Sequence, residues 1–366
     1  MARSKRTIGY AVIGLGDIAQ TAILPAFKNA RENSRLAALV SGDPSKRRAL
    51  GRRYKVPVYR PEDLDECLAS DEVDALYVAL PNTMHADVTV RAAQAGVHVL
   101  CEKPMATSAK ECERMIAACR ENDVKLMIAY RLHFEPVTLK AIEIARRDLG
   151  ELRFFDSAFG YQVTPDNIRT QKKLGGGALF DLGVYCINAS RYLLADEPTE
   201  VFAYELGRGT DPRFEDLPAT YTAMLKFPGE RVATFTCSFD AVENDWFNLV
   251  GTKGELFADT AYGFGERFLR VVKNGRVTRR SFKPTDHFGP ELIAFSKSII
   301  DDSDVSASGE EGLADVRIVE AIQESAGRHA PVAIRAPHPR RRPSLRQAIR
   351  KPAVKAPATV HSAPPH

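Results

Sequence analysis

The chain has 366 residues, 44% of them hydrophobic and 27% charged, with a formal net charge of +4. That length predicts two domains with a sizeable core, and the composition is that of a globular protein with no fibrous or low-complexity bias. No run approaches the ~18 apolar residues of a membrane helix, and the polar, basic start (Met1–Thr7) leads directly into a strand, not into the apolar region of a signal peptide. No membrane partner is therefore expected, and the cytoplasm is the expected location. The charge is unevenly spread, because Arg335–His366 holds eight basic residues and no acidic one, which leaves −4 on the remainder. The body is mildly acidic and the tail lacks aromatic residues, so nucleic acid is not an expected partner.

In chain order, Ile8–Ile13 reads as a first strand stopped by Gly14, followed by a helix from about Ile18 to Arg31. Strands follow at Leu36–Val40, Ala75–Leu80, His98–Cys101 and Lys125–Ala129, with helices at Thr83–Ala95 and Ser108–Glu121. Strands and helices alternating at these lengths predict a Rossmann-type, doubly wound parallel α/β sheet over residues 1–131. From Glu151 the segments become strand-like and alternating: Val201–Leu206, Thr220–Phe227, Val232–Phe239 and Phe247–Val250. They are punctuated by the turn signals Pro228-Gly229, Lys253-Gly254 and Asn274-Gly275. Helices are expected at Gly177–Leu194, Glu291–Ile300 and Glu311–Gly327. Residues 132–334 thus predict an α+β domain with an open, mostly antiparallel sheet. Residues 335–366 are basic, Pro- and Ala-rich and aperiodic, and are expected to be a disordered tail. The six cysteines (Cys67, Cys101, Cys112, Cys119, Cys186, Cys237) show neither a Cys-x-x-Cys pair nor zinc-ligand spacing, so they read as reduced core residues and no metal site is expected.

Gly14-Leu15-Gly16-Asp17-Ile18-Ala19 follows a strand and opens a helix, the context in which this spacing binds a dinucleotide. The first glycine makes the tight turn, the second lets a pyrophosphate approach the backbone, and the small Ala19 lets helix and strand pack closely. The helix N-terminus, with Asp17 and Ile18, then holds the phosphates. At the end of the second strand, an NAD enzyme usually has an acid for the ribose 2′-hydroxyl. Here Ser41 is followed by the basic run Lys46-Arg47-Arg48, which suits a 2′-phosphate, while Asp43 is the counter-signal as an acid within reach of the ribose; on balance NADP is favoured over NAD.

Glu102-Lys103-Pro104 follows a buried strand at the sheet edge where such folds bind ligands, and a cis bond before Pro104 is expected. Asp181 and Tyr185 lie four apart and share a helix face, with Gly183 between them leaving room for a flat ring. An ammonium beside a phenol makes the hydroxyl a better proton carrier, so Lys103, Asp181 and Tyr185 form a candidate proton-transfer set.

These segments, together with Pro81-Asn82-x-x-His85, Ala95-Gly96-x-His98-Val99-x-Cys101-Glu102-Lys103-Pro104-Met105-Ala106, Tyr130-Arg131-x-His133 and Leu174-Gly175-Gly176-Gly177, resemble the Gfo/Idh/MocA oxidoreductases from about Ile8 to Ile334. Many members of that family carry His where this chain has Tyr185. The Tyr form is most similar to the glucose–fructose oxidoreductase branch, NADP-linked aldose dehydrogenases and dihydrodiol dehydrogenases. The resemblance implies Lys103 and Tyr185 as the catalytic pair with Asp181 assisting. It places Pro81, Asn82, His85, Glu102 and Arg131 around the cofactor, and Tyr130, Asp166 and Arg169 in a carbohydrate site. It also implies a homo-oligomer, dimer or tetramer, formed through the second-domain sheet. The expected reaction is hydride transfer between NADP and C1 of a cyclic sugar, with return of the hydride to a ketose as an extension. Alternatives are a dihydrodiol or other cyclic-alcohol dehydrogenase and a non-catalytic NADP-sensing regulator; the intact Lys103, Asp181 and Tyr185 disfavour the last. Only seven residues precede the first strand, so no long N-terminal arm is expected to cover the cofactor.

Overall fold

The computed structural model describes residues 6–209, 211–335, 337, 341–362 and 364–365. The first domain runs β1 (Ile8–Ile13), α1 (Leu24–Ala26), β2 (Ser34–Val40), α2 (Pro44–Tyr54), β3 (Val58–Tyr59), α3 (Leu64–Leu68), β4 (Ala75–Val78), α4 (His85–Gln94), β5 (His98–Cys101), α5 (Ala109–Glu121) and β6 (Leu126–Ile128). Its six parallel strands lie in the order β3-β2-β1-β4-β5-β6. Strands β1 and β4 are buried along their whole length, as strands covered by helices on both faces must be. The order reverses between β1 and β4, and this opens a crevice at their carboxyl ends, where Gly14 and the segment Ala79–Asn82 sit. Local side chains start two of the helices. Asp43 caps α2 by accepting from the backbone N–H of Ser45 (2.7 Å) and Lys46 (3.1 Å), and Ser108 caps α5 by accepting from Glu111 N (3.3 Å), while the Glu111 carboxylate accepts from Thr107 N (3.1 Å).

The second domain contains α6 (Pro136–Asp148), β7 (Leu152–Gln162), α7 (Val184–Leu194), β8 (Glu200–Leu206), β9 (Thr220–Phe227), β10 (Arg231–Ser238), β11 (Asp240–Gly251), β12 (Gly254–Asp259), β13 (Arg267–Lys273), β14 (Arg276–Phe282), α8 (Phe288–Ile300), α9 (Gly309–Arg328) and β15 (Val332–Ala333). Its nine strands lie in the order β14-β13-β12-β11-β7-β10-β9-β8-β15, antiparallel throughout except for the central parallel pair β7–β10. The Asn274-Gly275 turn joins β13 to β14 with both residues at positive φ (51° and 73°), the conformation that matches strand twist in a two-residue hairpin. One face of this sheet is covered by helices. The other carries Phe154, Tyr204, Met224 and Phe268, all exposed, beside the stacked pair Trp246–Phe257.

Two features differ from the sequence expectation. Helices α8 and α9 follow the second sheet in sequence, yet Phe288, Leu292, Phe295, Ile299, Leu313 and Val316 pack into the core of the first domain. The chain therefore returns across the 131/132 boundary. The tail, expected to be disordered, is extended but held along its described length. Arg342 donates to Glu197 (2.5 Å) and to the Arg191 carbonyl (3.1 Å). Gln347 donates to the His133 carbonyl (2.6 Å), and Lys351 pairs with Glu32 (2.7 Å). Composition alone cannot anticipate such anchoring, because each contact needs a partner distant in sequence. All six cysteines are buried and unpaired. Among the described residues no helix is long and apolar enough to cross a membrane.

Candidate active site

Gly14 has φ +91°, and a Cβ there would lie 2.2 Å from the Ala79 carbonyl oxygen, so only glycine lets the loop after β1 approach the end of β4. A Cβ on Gly16 would meet nothing within 4 Å, which leaves open space above the loop. The helix that follows begins with a π-helical turn, Ala19–Ile23. An open glycine cradle, the first N–H groups of a helix and the β1/β4 crevice together fit the pyrophosphate of a dinucleotide. At the far end of the crevice, Ser41 Oγ accepts from Asp43 N (3.2 Å), and Arg47 folds back to donate to the Ser41 carbonyl (2.5 Å). The cation beside Ser41 is thus Arg47. Lys46, the residue singled out from sequence, contributes its backbone N–H to the Asp43 cap.

Lys103 stands at the end of β5, and its peptide to Pro104 is cis. Its ammonium donates to the Asp181 carbonyl (3.1 Å) and to Asp181 Oδ1 (3.2 Å), and it lies 4.7 Å from the centre of the Tyr185 ring. Asp181 sits in a second π-helical turn, Leu179–Gly183, which runs into α7. Such turns are rare and recur at functional sites; here one brings Asp181 and Tyr185 onto Lys103 together. Asp181 Oδ2 accepts from Arg169 Nε (2.9 Å) and from the Tyr161 hydroxyl (2.8 Å). Burial opposes its charge, but Lys103, Arg169 and the Tyr161 hydrogen bond outweigh that and hold it below the usual carboxylate range. Burial likewise opposes the Lys103 charge, and the negative groups around it still raise its pKa above the ordinary lysine value. Burial and the Asp181 charge keep the proton on Tyr161, so it serves as a donor.

The Tyr185 hydroxyl accepts from Arg131 Nε at 3.2 Å. The same guanidinium donates to His287 Nδ1 (2.7 Å) and to the Tyr262 carbonyl, and it lies 4.1 Å from the Phe264 ring centre. Burial, with Arg267 and Arg131 nearby, pushes the His287 pKa well below the ordinary histidine value, so its Nδ1 is free to accept. Behind Lys103, Glu102 accepts from Tyr77 (2.9 Å), whose hydroxyl also lies 3.3 Å from Glu291. Burial and the neighbouring Glu102 raise the Glu291 pKa well above normal, which keeps this buried carboxyl protonated.

The sequence-derived set is therefore only partly assembled around the crevice. Pro81 and Asn82 lie at its rim, and Asn82 donates to the Gly175 carbonyl (2.7 Å), tying the two domains together beside Lys103. His85 does not reach the crevice. It is fully buried, with its ring nitrogens 3.0 Å and 2.9 Å from the carbonyls of Pro104 and Leu80, where it pins the two loops. Arg131 is buried beside Tyr185, with Nε on the phenol, one terminal nitrogen on His287 and the other on the Tyr262 carbonyl. Tyr130 turns inward to donate to Asp315 (2.6 Å). Asp166 is exposed at positive φ (59°), with no hydrogen bond to the cluster among the described residues. Of the expected carbohydrate residues only Arg169 joins the site. It is held there by a tight loop in which a Cβ on Gly176 would lie 2.3 Å from the Arg169 carbonyl. Gly183 makes no room for a ring: a Cβ there would meet Leu179 (2.7 Å) and Cys237 (3.1 Å), so its role is packing α7 on β10. Tyr161, Tyr262, Phe264 and His287 were missed, since each arrives from the second sheet or its loops and none lies in a short motif.

Residues 8–130 match the oxidoreductase family with an NAD-binding Rossmann fold, and residues 139–257 match the GFO/IDH/MocA C-terminal domain. The chain is 30% identical to D-xylose 1-dehydrogenase (NADP(+)) 2 of Haloferax volcanii over 322 residues, 87% of this chain and 97% of that protein. It is 30% identical to trans-1,2-dihydrobenzene-1,2-diol dehydrogenase of Macaca fuscata fuscata over 67% of this chain and 72% of the relative. The crystal structure of aldose-aldose oxidoreductase from Caulobacter crescentus superimposes with a TM-score of 0.87 at 36% identity, covering 90% of this chain and all of that one. Fold, glycine cradle, Lys103–Asp181–Tyr185 cluster and these similarities agree: the chain belongs to the GFO/IDH/MocA family of oxidoreductases.

Proposed function

We propose that this protein is an NADP-dependent sugar oxidoreductase that oxidises the C1 hydroxyl of a cyclic aldose to the lactone. The observation that carries the reading is the convergence of Lys103, Asp181 and Tyr185 at the mouth of the dinucleotide crevice. Arg47 beside Ser41 favours a 2′-phosphate, and both Asp43 oxygens are engaged, Oδ1 by the helix cap and Oδ2 by His361 (3.0 Å), which withdraws them from a ribose hydroxyl. NADP-dependence in the xylose dehydrogenase relative supports the same choice.

The dinucleotide, when bound, supplies the hydride acceptor at the nicotinamide ring. The chain's own residues handle the proton. Tyr185 Oη is the group placed to take it from the sugar hydroxyl, and two cations, Arg131 and Lys103, face the phenol and stabilise negative charge on it during transfer. Lys103 holds the sugar oxygen, and Asp181 with Arg169 and Tyr161 holds Lys103. If the reduced dinucleotide stays bound, a ketose can take the hydride back in the same site. The chain assembles as a homodimer or tetramer through the open face of the nine-stranded sheet, where Phe154, Tyr204, Met224 and Phe268 are exposed.

The test is a panel of aldoses, inositols and cyclic diols with NADP and with NAD, run on the wild type and on Lys103→Ala and Tyr185→Phe. Both variants are expected to lose most turnover while still binding NADP; undiminished turnover in both refutes the assignment. The dihydrodiol dehydrogenase similarity supports a second reading, and preference for cyclic diols over aldoses in that panel would select it. Light scattering tests the assembly, with a monomer as the refuting result.

A further inference from the structure

The C-terminal segment crosses the crevice that the dinucleotide is expected to fill. The Ala358 carbonyl accepts from Arg53 on α2 (2.9 Å). Two residues on, the Val360 backbone pairs with the side-chain amide of Gln20, donating to Oε1 (2.8 Å) and accepting from Nε2 (3.0 Å). Gln20 is fully buried, and its Nε2 also donates to the carbonyl of Leu15, inside the glycine loop, at 2.9 Å. One side chain thus couples the tail to the phosphate cradle. His361 Nδ1 then lies 3.0 Å from Asp43 Oδ2, beside Ser41 and Arg47. The segment ends on the second domain, where the Pro365 carbonyl accepts from Thr164 N at 3.0 Å. Thr164 is itself tied to Asn167 (3.3 Å), which caps the short turn that carries Arg169. The glycine loop and this turn face each other closely enough for Asp17 to act on the Arg169 charge.

The contacts therefore span from the adenosine end of the crevice, across the glycine loop, to the loop that positions Arg169. Upstream, the segment is anchored to both domains. The Pro352 carbonyl accepts from Asn29 (2.9 Å), and the Lys351 carbonyl accepts from Asp286 N (3.1 Å). Pro352, Pro357, Pro364 and Pro365 favour an extended chain that loses little further freedom when laid down.

We infer that residues 353–362, with Pro364 and Pro365, form a strap that closes over the bound dinucleotide and slows its release, with Val360 and His361 as the latch. This rests on the dinucleotide reading given above. A chain that keeps its reduced cofactor between turnovers can pass the hydride to a second sugar; the strap would supply that retention from the C-terminal side.

The test uses the full-length protein loaded with NADPH, chased with excess NADP while the nicotinamide fluorescence is followed. A chain stopped after Pro352 keeps the Arg342, Gln347 and Lys351 anchors and is expected to release NADPH about tenfold faster, equivalent to about 1.4 kcal/mol. Val360→Pro in the full chain, which removes the N–H given to Gln20, is expected to accelerate release in the same direction, as is His361→Ala. Release at the wild-type rate from both the shortened chain and Val360→Pro overturns the strap. So does faster uptake with unchanged release, which would make the segment an excluder. Failure of the full-length protein to bind NADPH at all overturns the dinucleotide reading itself, a result distinguishable from equal release rates.

Discussion

Replacing Asp181 with Asn removes one charge from the middle of the cluster while keeping its shape. The carboxylate lies 3.2 Å from the Lys103 ammonium and 2.9 Å from Arg169 Nε. At an effective dielectric of about 20, the first contact alone corresponds to about 5 kcal/mol of Coulomb attraction. Lys103 and Asp181 keep 13% and 21% of their side-chain surface in solvent, so screening reduces that figure. About 3 kcal/mol is a reasonable net loss, at the lower edge of what breaking a buried pair costs. The ammonium would then keep only neutral acceptors at position 181, the backbone carbonyl and the amide oxygen, and the burial that already disfavours its charge would act against one fewer negative group. Turnover should fall about 100-fold, as about 3 kcal/mol requires. Because the loss comes from a lysine that gives up its proton more readily, activity should partly recover as pH is lowered. Steady-state sugar oxidation followed by nicotinamide absorbance across a pH series, with dinucleotide binding measured in parallel, provides the assay. Turnover close to wild type at every pH, with binding intact, would refute the role given to the carboxylate.

Arg131→Lys keeps a charge but cannot reach Tyr185, His287 and Tyr262 together, so kcat should drop at least about tenfold with KM little changed. An equal loss in dinucleotide affinity would place Arg131 in the crevice instead. Glu291→Gln mimics the protonated acid. Because the folded-state pKa is raised above the ordinary 4.5, the wild-type stability contribution is full below that pH and declines as pH rises toward the folded value. Chemical denaturation at two pH values above 4.5 should show the variant gaining on the wild type by about 1.4 kcal/mol per pH unit; parallel pH slopes would disprove this. Arg191 is fully buried and paired with Glu197, Glu311 and Asp315 at 2.6, 2.9 and 2.5 Å; in Arg191→Met, Glu197 keeps Arg342 but Glu311 and Asp315 lose their cation. A loss of about 3–5 kcal/mol is expected, read as a lowered denaturation midpoint, and an unchanged midpoint would contradict it.

The Rossmann half was largely legible because its signals are local. Gly14 must turn, Ser108 opens a helix, and buried parallel strands read as apolar runs. The Lys103–Asp181–Tyr185 set was also legible, through glycine-rich segments whose chemistry is unusual for their context. What escaped the sequence depends on geometry between distant segments. His85 and Tyr130 sit in conspicuous motifs yet are absorbed by carbonyls and by Asp315 in the interior. Arg131 reaches the phenol from behind because β12–β13 and the start of α8 bring Tyr262, Phe264 and His287 around it. Tyr161 joins the site because the π-helical turn places Asp181 within reach of its hydroxyl. The anchoring of the tail is not legible in the sequence because its partners, such as Glu197 and Gln20, are nearly 150 to 340 residues away.

The buried thiols give this protein an internal clock. Burial pushes Cys67 up to about 11 and Cys119 and Cys186 up to about 12, so at neutral pH they are both unionised and shielded from alkylating reagents. Labelling must then wait for the surrounding structure to open. Cys67, Cys101, Cys112 and Cys119 report on the first domain, and Cys186 and Cys237 on the second. Peptide-resolved alkylation would time the opening of each half separately, without adding a single probe to the chain.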